Sequence, residues 1–275
     1  MITLKALFAI FLSAVLSTYC LALNPSKTYK TTPHDHQMKF EEINIPTSDG
    51  ATLHAWFFPT ENGDQLMVMS HDGVGNMADY FARVRILVNY GFNVLCYDYR
   101  GYGSSSDFSI DRLQYIYTEF FTDFDSVIKY CQNRFNHEIV AYGWGIGAGI
   151  SIVRGYNKNG IEGIIADDPF VDLIRLKAKF NEIQAVMKIP DEIMNSKYNP
   201  FDVVNEEPSM DLRGILYFHG NKNILFTYDE MNRLLDATNL VNKELYAFKV
   251  SQRMDNYHIN ESSYTKRIYA FVMNL

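Results

Sequence analysis

A chain of 275 residues that is 47% hydrophobic and 21% charged can bury the core of one large domain. Its net charge of -7, with no stripe rich in Lys or Arg, excludes nucleic acid as a partner, because affinity for polyanions comes largely from neutralised phosphates. The 15% aromatic content implies a densely packed interior, and three cysteines are too few for a disulfide framework.

The first segment is a targeting sequence. Lys5 precedes an uncharged, mostly apolar run from Ala6 to Leu23, closed by Asn24-Pro25-Ser26-Lys27. This predicts an exported chain, periplasmic or secreted, with cleavage after Ala22. The alternative is an uncleaved anchor spanning residues 6–23, since about 20 apolar residues cross a bilayer. Leu16 to Cys20 resembles a bacterial lipobox, although Tyr19 is too bulky for that pattern. Residues 24–37 read as a polar linker; its His34 and His36 have no further ligands nearby, so no metal is expected.

From Met38 to Phe58 the pattern alternates around the turn Ser48-Asp49-Gly50 and predicts an antiparallel hairpin. Short apolar strands then alternate with helical stretches. The strands are Leu66 to Ser70, Asn93 to Tyr97, Glu138 to Tyr142, Ile161 to Ala166, Gly214 to Phe218 and Leu245 to Val250. The helices are Met77 to Tyr90, Leu113 to Phe135, one from Ile146, and a closing one from about Asn260. Such alternation predicts an α/β domain over residues 38–275, with a mainly parallel, doubly wound sheet behind the hairpin. Residues 170–210 contain no clear strand and are expected to form a small helical cap over a site. Cys96 and Cys131 are expected to be buried thiols or, in an oxidising compartment, a single bridge.

Ligands of an open parallel sheet bind beyond the carboxyl ends of the strands, so the turns there are the candidate site. Ser70-His71-Asp72-Gly73-Val74-Gly75-Asn76 leaves one strand and offers backbone N–H groups to an oxyanion, or merely permits a tight turn. Asp98-Tyr99-Arg100-Gly101-Tyr102-Gly103 leaves the next. Gly143-Trp144-Gly145-Ile146-Gly147 follows a strand and opens a helix, the setting of a G-x-S-x-G nucleophile elbow with Gly145 at the serine position. His219-Gly220-Asn221-Lys222-Asn223 and Asn256-Tyr257-His258 leave the last two strands.

Together these motifs, over residues 40–272, resemble the α/β hydrolases, in particular the alpha/beta hydrolase domain or serine-aminopeptidase-like group. The resemblance implies that Asp98 and Arg100 tie down a loop. It implies that Gly73 and Ile146 supply oxyanion donors, that Asn223 stands at the acid position with its carboxylate lost, and that His258 keeps the base position. Asp167, in Ala166-Asp167-Asp168-Pro169, is a displaced acid that could still pair with His258. Ser104, Ser105 and Ser151 offer no convincing replacement nucleophile, Ser151 lying more than a helical turn from Gly145. The expected protein is therefore a pseudo-hydrolase, without cofactor or metal, that binds a small apolar or ester-like ligand or a protein partner. An active hydrolase using His258 with activated water or a non-standard nucleophile is the alternative. A lesser one is a dinucleotide site, because Gly143-x-Gly145-x-x-Ala148 also fits G-x-G-x-x-G/A, with Asp167 and Asp168 ending the next strand.

Overall fold

The computed structural model describes residues 23–61, 63–182, 185–253 and 255–275. Among them, β2 (Glu41–Pro46) and β3 (Thr52–Phe58) form the antiparallel hairpin, and β3 pairs antiparallel with β6 (Asn93–Tyr97). The remaining strands are parallel: β4 (Gln65–Ser70), β7 (Glu138–Trp144), β8 (Ile161–Asp167), β9 (Gly214–Gly220) and β10 (Lys243–Phe248). The eight-stranded order is β10-β9-β8-β7-β4-β6-β3-β2. The inner strands are buried on both faces, which is why segments such as Leu66-Met67-Val68-Met69 are continuously apolar instead of alternating. One core cluster covers each face of the sheet.

The helices are α1 (Phe81–Asn89), α2 (Thr118–Arg134), α3 (Ile146–Gly155), α4 (Leu173–Glu182), α5 (Pro200–Val203), α6 (Tyr228–Ala237) and α7 (Asn256–Val272). Three helix starts differ from expectation. Met77–Tyr80 is a 3₁₀ turn capped by Asn76 before α1 begins. Residues 113–117 are not helical, because Tyr115 N–H donates to Lys188 O and Lys188 N–H to Leu113 O, drawing this stretch into extended pairing with the insertion. The last helix opens at Asn256, with a kink at Asn260.

The insertion carries α4 and α5 and is fused to the core. Phe180 and Phe170 pack around Tyr115, and all three rings are buried. Cys96 and Cys131 are free, buried thiols. Among the described residues no helix is long and apolar enough to cross a membrane; residues 1–22, which hold nearly all of the targeting run, lie outside them.

Residues 24–37, expected to be a linker, run along the domain. β1 (Asn24–Pro25) pairs in parallel with β5 (Val74–Gly75), directly after the exit of β4. Gly103 N–H donates to Ser26 O, and the Asn76 amide donates to Ser26 O and Thr28 O. Tyr29 OH donates to Asp98 Oδ2 over 2.6 Å, while Met77 N–H donates to Asp98 Oδ1. His36 stacks on Phe81. Arg100 is held by Asp49 and Asp123, so Asp98 and Arg100 both fasten the loop between β6 and α2.

Burial pushes the Asp98 carboxyl up to about 7, against the hydrogen bonds from Tyr29 and Met77 that favour its charge. A group whose folded pKa lies above its ordinary value binds its proton more tightly in the folded state, so stability is full at acid pH and falls as pH rises from about 4 to about 7. Asp98→Asn should flatten the pH dependence of urea unfolding between pH 5 and 7 by up to about 1.4 kcal/mol per pH unit. A variant as steep as the parent would show that Asp98 is not the titrating group.

Candidate functional site

The elbow is built as its glycines require. Gly145 adopts φ 57, ψ -121, a backbone conformation that costs a side-chain-bearing residue strain, and its N–H donates to Asp167 O. On either side the backbones approach too closely for any Cβ. One on Gly143 would strike the Gly147 carbonyl, and one on Gly147 would strike the Ser70 carbonyl at the end of β4. The G-x-G-x-G spacing is thus explained by strand-to-helix packing with residue 145 itself presenting no reactive group.

Around the elbow the expected residues are placed unequally. Ile146 opens α3 and is buried. Gly73 lies close by: a Cβ there would come within 2.6 Å of Leu23 Cδ2 and 3.0 Å of Ile146 Cδ1. Its N–H donates to His71 Nδ1 at 3.1 Å, and its carbonyl accepts from Asn24 N–H and Tyr102 OH. Burial lowers His71 to about 3, so the ring is neutral and Nδ1 stays an acceptor.

His258 sits in the first turn of α7 with an exposed ring, against which only Tyr257 packs among the described contacts. Asp167 does not meet it. The Asp167 carboxylate instead accepts from the Asn256 amide at 2.6 Å and Tyr264 OH at 2.7 Å, and faces the Arg83 guanidinium at 3.5 Å. Burial, followed by the neighbouring Asp168 charge, pushes Asp167 up to about 6, while Arg83 and the two hydrogen bonds hold it down. Arg83 also donates to Tyr142 OH and lies over the rings of Trp144 and Tyr257 at 4.6 and 4.7 Å.

Asp168 is the hub of a second set of bonds. It is a non-glycine residue at φ 48, and its Oδ1 meets His219 Nδ1 at 3.2 Å, Gly220 N–H at 3.1 Å and the Asn223 amide at 3.1 Å; its Oδ2 accepts from Asn256. Asn223 is buried, with its Oδ1 capping the N–H groups of Leu225 and Phe226. The histidine that pairs with a carboxylate here is therefore His219. Sequence reasoning noted it only as part of a turn, although its place one residue before Gly220 at a strand end marks it. Arg83 was also missed, although a cation on the apolar stripe Tyr80, Val84 and Leu87 is a readable signal of a buried partner.

Ser151 Oγ donates to Gly147 O and Ser105 Oγ donates to Asp98 O, so both hydroxyls are engaged elsewhere; Ser104 is held through its backbone, its N–H donating to Tyr29 OH. Among the described residues no group of three or more His, Cys, Asp or Glu side chains could hold a metal. What the arrangement supplies is a His–Asp pair and a neutralised cation within a mostly buried frame, with a residue that has no side chain at the centre of the strand-to-helix turn.

The sequence model of the family described as serine aminopeptidase, S33, matches residues 61–249. Alpha/beta hydrolase domain-containing protein WAV2 of Arabidopsis thaliana is 26% identical over 164 residues, covering 54% of this chain and 49% of that protein. YfhR of Salmonella typhimurium, an uncharacterized protein, is 32% identical over 117 residues, covering 37% of each. The chain thus spans about half or less of the length of these two relatives. YNL320W of Saccharomyces cerevisiae, an uncharacterized membrane protein, is 21% identical over 236 residues, covering 84% of this chain and 79% of its own. In structure, the esterase Pf2001 of Pyrococcus furiosus superposes with a TM-score of 0.74 at 18% identity, covering 92% of this chain and 97% of that one, a likeness of fold.

Two outcomes follow from the geometry. Gly147→Ala should destabilise more than Gly145→Ser in thermal unfolding, because the first drives a Cβ into the Ser70 carbonyl, whereas the second takes on backbone strain of about 1–3 kcal/mol. The reverse order would contradict the elbow packing. Asn223→Asp replaces an amide donor to Asp168 with a like charge and should cost about 2 kcal/mol. The added repulsion raises the folded pKa of the cluster, so the deficit should grow as pH climbs from 5 to 8. An equal deficit at both values in urea unfolding would rule out the electrostatic cause.

Proposed function

The chain belongs to the serine aminopeptidase S33 family of α/β hydrolases, and from that premise we propose that it is an exported pseudo-hydrolase, a domain that keeps the hydrolase frame for binding while having lost the chemistry. The observation that carries the reading is Gly145 at the centre of an intact elbow. A glycine has no group to attack an acyl carbon, and losing the nucleophile alone costs such enzymes many powers of ten in rate.

The surroundings support this reading. The Gly73 N–H that would receive an oxyanion is bonded to His71, and Asn223 and Asp167 serve the buried carboxylate pair. A ligand site beneath the insertion is disfavoured, since Tyr115, Phe170 and Phe180 pack into one another there. Binding by the outer surface, to a partner, is favoured over binding of a small ester. The dinucleotide reading is weakened because both acidic residues at the end of β8, Asp167 and Asp168, are buried and committed to internal bonds instead of standing open to a ribose hydroxyl.

Purified chain from residue 24 onward, with and without His258→Ala, should hydrolyse a panel of p-nitrophenyl acyl esters no faster than buffer. Turnover that disappears in the variant would overturn the proposal and make His258 a working base without a serine at 145.

A further inference from the structure

We infer that the chain forms a two-fold dimer through β10, the last strand of its sheet, which pairs antiparallel with β10 of a second copy. This goes beyond the reading above and stands whether or not the elbow is catalytically silent, since β9 and β8 separate β10 from the elbow strand β7.

The backbone of β10 is the first ground. Among the described residues it pairs with β9 alone. Successive residues of a strand turn their N–H and C=O groups to opposite sides. The Asn242 carbonyl accepts from Ile215 N–H and the Phe248 carbonyl from Asn221 N–H, so residues 242, 244, 246 and 248 face β9. Lys243, Leu245 and Ala247 therefore turn their N–H and C=O groups outward, and no described hydrogen bond reaches these groups. This set is symmetric about Leu245. In an antiparallel two-fold pairing Leu245 meets Leu245 of the second copy, Lys243 meets Ala247, and each outward donor finds a carbonyl. Open edges are ordinarily blunted by a proline, a bulge or a projecting lysine. β10 has no proline and no break in register, and Lys243 Nζ is turned back onto Asp236 O and Thr238 O of its own domain. The opposite edge, β2, closes on Pro46 and exposes Glu41, Glu42 and Asn44.

The side chains are the second ground, and they favour a second copy over an unrelated strand. Arg267 of α7 reaches Glu244 at 3.4 Å and lies over the Tyr246 ring at 4.9 Å. The same register sets Glu244 opposite the second copy's Tyr246 in a non-hydrogen-bonded pair, where side chains stand closest, and so beside the Arg267 that covers that ring. Each half-exposed Glu244–Arg267 pair thus meets its charge complement by symmetry. Val241 and Val250 stand exposed just before and just after β10. Antiparallel pairing sets the Val241 end of one copy against the Val250 end of the other.

The test uses the full chain with Cys20→Ser, in which Cys96 and Cys131 are buried, under mild copper–phenanthroline oxidation. Leu245→Cys should cross-link to itself several-fold faster than Lys243→Cys or Ala247→Cys alone. Only residue 245 lies on the two-fold axis, with Cα atoms about 5.5 Å apart, within disulfide reach. Lys243→Cys mixed with Ala247→Cys should cross-link at a rate approaching that of Leu245→Cys. In sedimentation at micromolar concentration the parent should run as a dimer and Ala247→Pro as a folded monomer, since the N–H that proline removes faces away from β9. A monomeric parent would overturn the inference. So would cross-linking at 243 or 247 alone as fast as at 245, or a folded Ala247→Pro variant that is still dimeric.

Discussion

Two adjacent carboxyl groups, Asp167 and Asp168, are buried at the end of β8, and most of the polar order at the carboxyl edge answers them. Neighbouring carboxylates in a low-dielectric interior are costly unless each finds donors or a cation. Because β7, β8 and β9 lie about 4.8 Å apart, whatever one exit presents must be satisfied from the next. Arg83 reaches in from α1 with Tyr264 from α7 for Asp167; His219 and Asn223 come from the β9 exit for Asp168; and Asn256 bridges the two. The same bonds hold Asp168 in its left-handed conformation, which side chains other than glycine rarely adopt without local compensation.

That constraint separates the elbow from the chemistry its frame could serve. The elbow is set by close backbone approach at Gly143 and Gly147, contacts that ask nothing of the side chain at position 145. The groups around it, by contrast, are recruited to neutralise buried charge. An asparagine suits position 223 in this setting, because it can donate to Asp168 while capping its own turn, whereas a carboxylate would add a third like charge.

Strand positions, the hairpin and the elbow were legible because they rest on local patterns: continuous apolar runs, the Ser48-Asp49-Gly50 turn and glycine spacing. The pairings that define the site join residues 51 to 97 positions apart, and no local pattern encodes which of two adjacent acids meets which partner. The assignment of His258 as base came from chain order alone. Opening α7 at Asn256 places that residue on an exposed helical turn, which a helix starting near Asn260 did not anticipate. The polar segment 24–37 looked like a linker since its composition is polar; its order comes from long-range bonds to Asp98, Gly73 and Gly75.

Gly73 shows how firmly the edge is closed. Its N–H is taken by His71 and its carbonyl by Asn24 and Tyr102, so neither polar backbone atom of this residue is open. Releasing the N–H by protonating His71 is not accessible near neutral pH, since burial keeps that ring neutral down to about pH 3. Releasing it by moving the turn would break β1 away from β5 and expose Leu23, an aliphatic side chain whose burial is worth about 2 kcal/mol. The closed turn and the seated N-terminal strand therefore stabilise each other. A group that binds at this edge meets them as a finished surface and not as a pocket waiting to open.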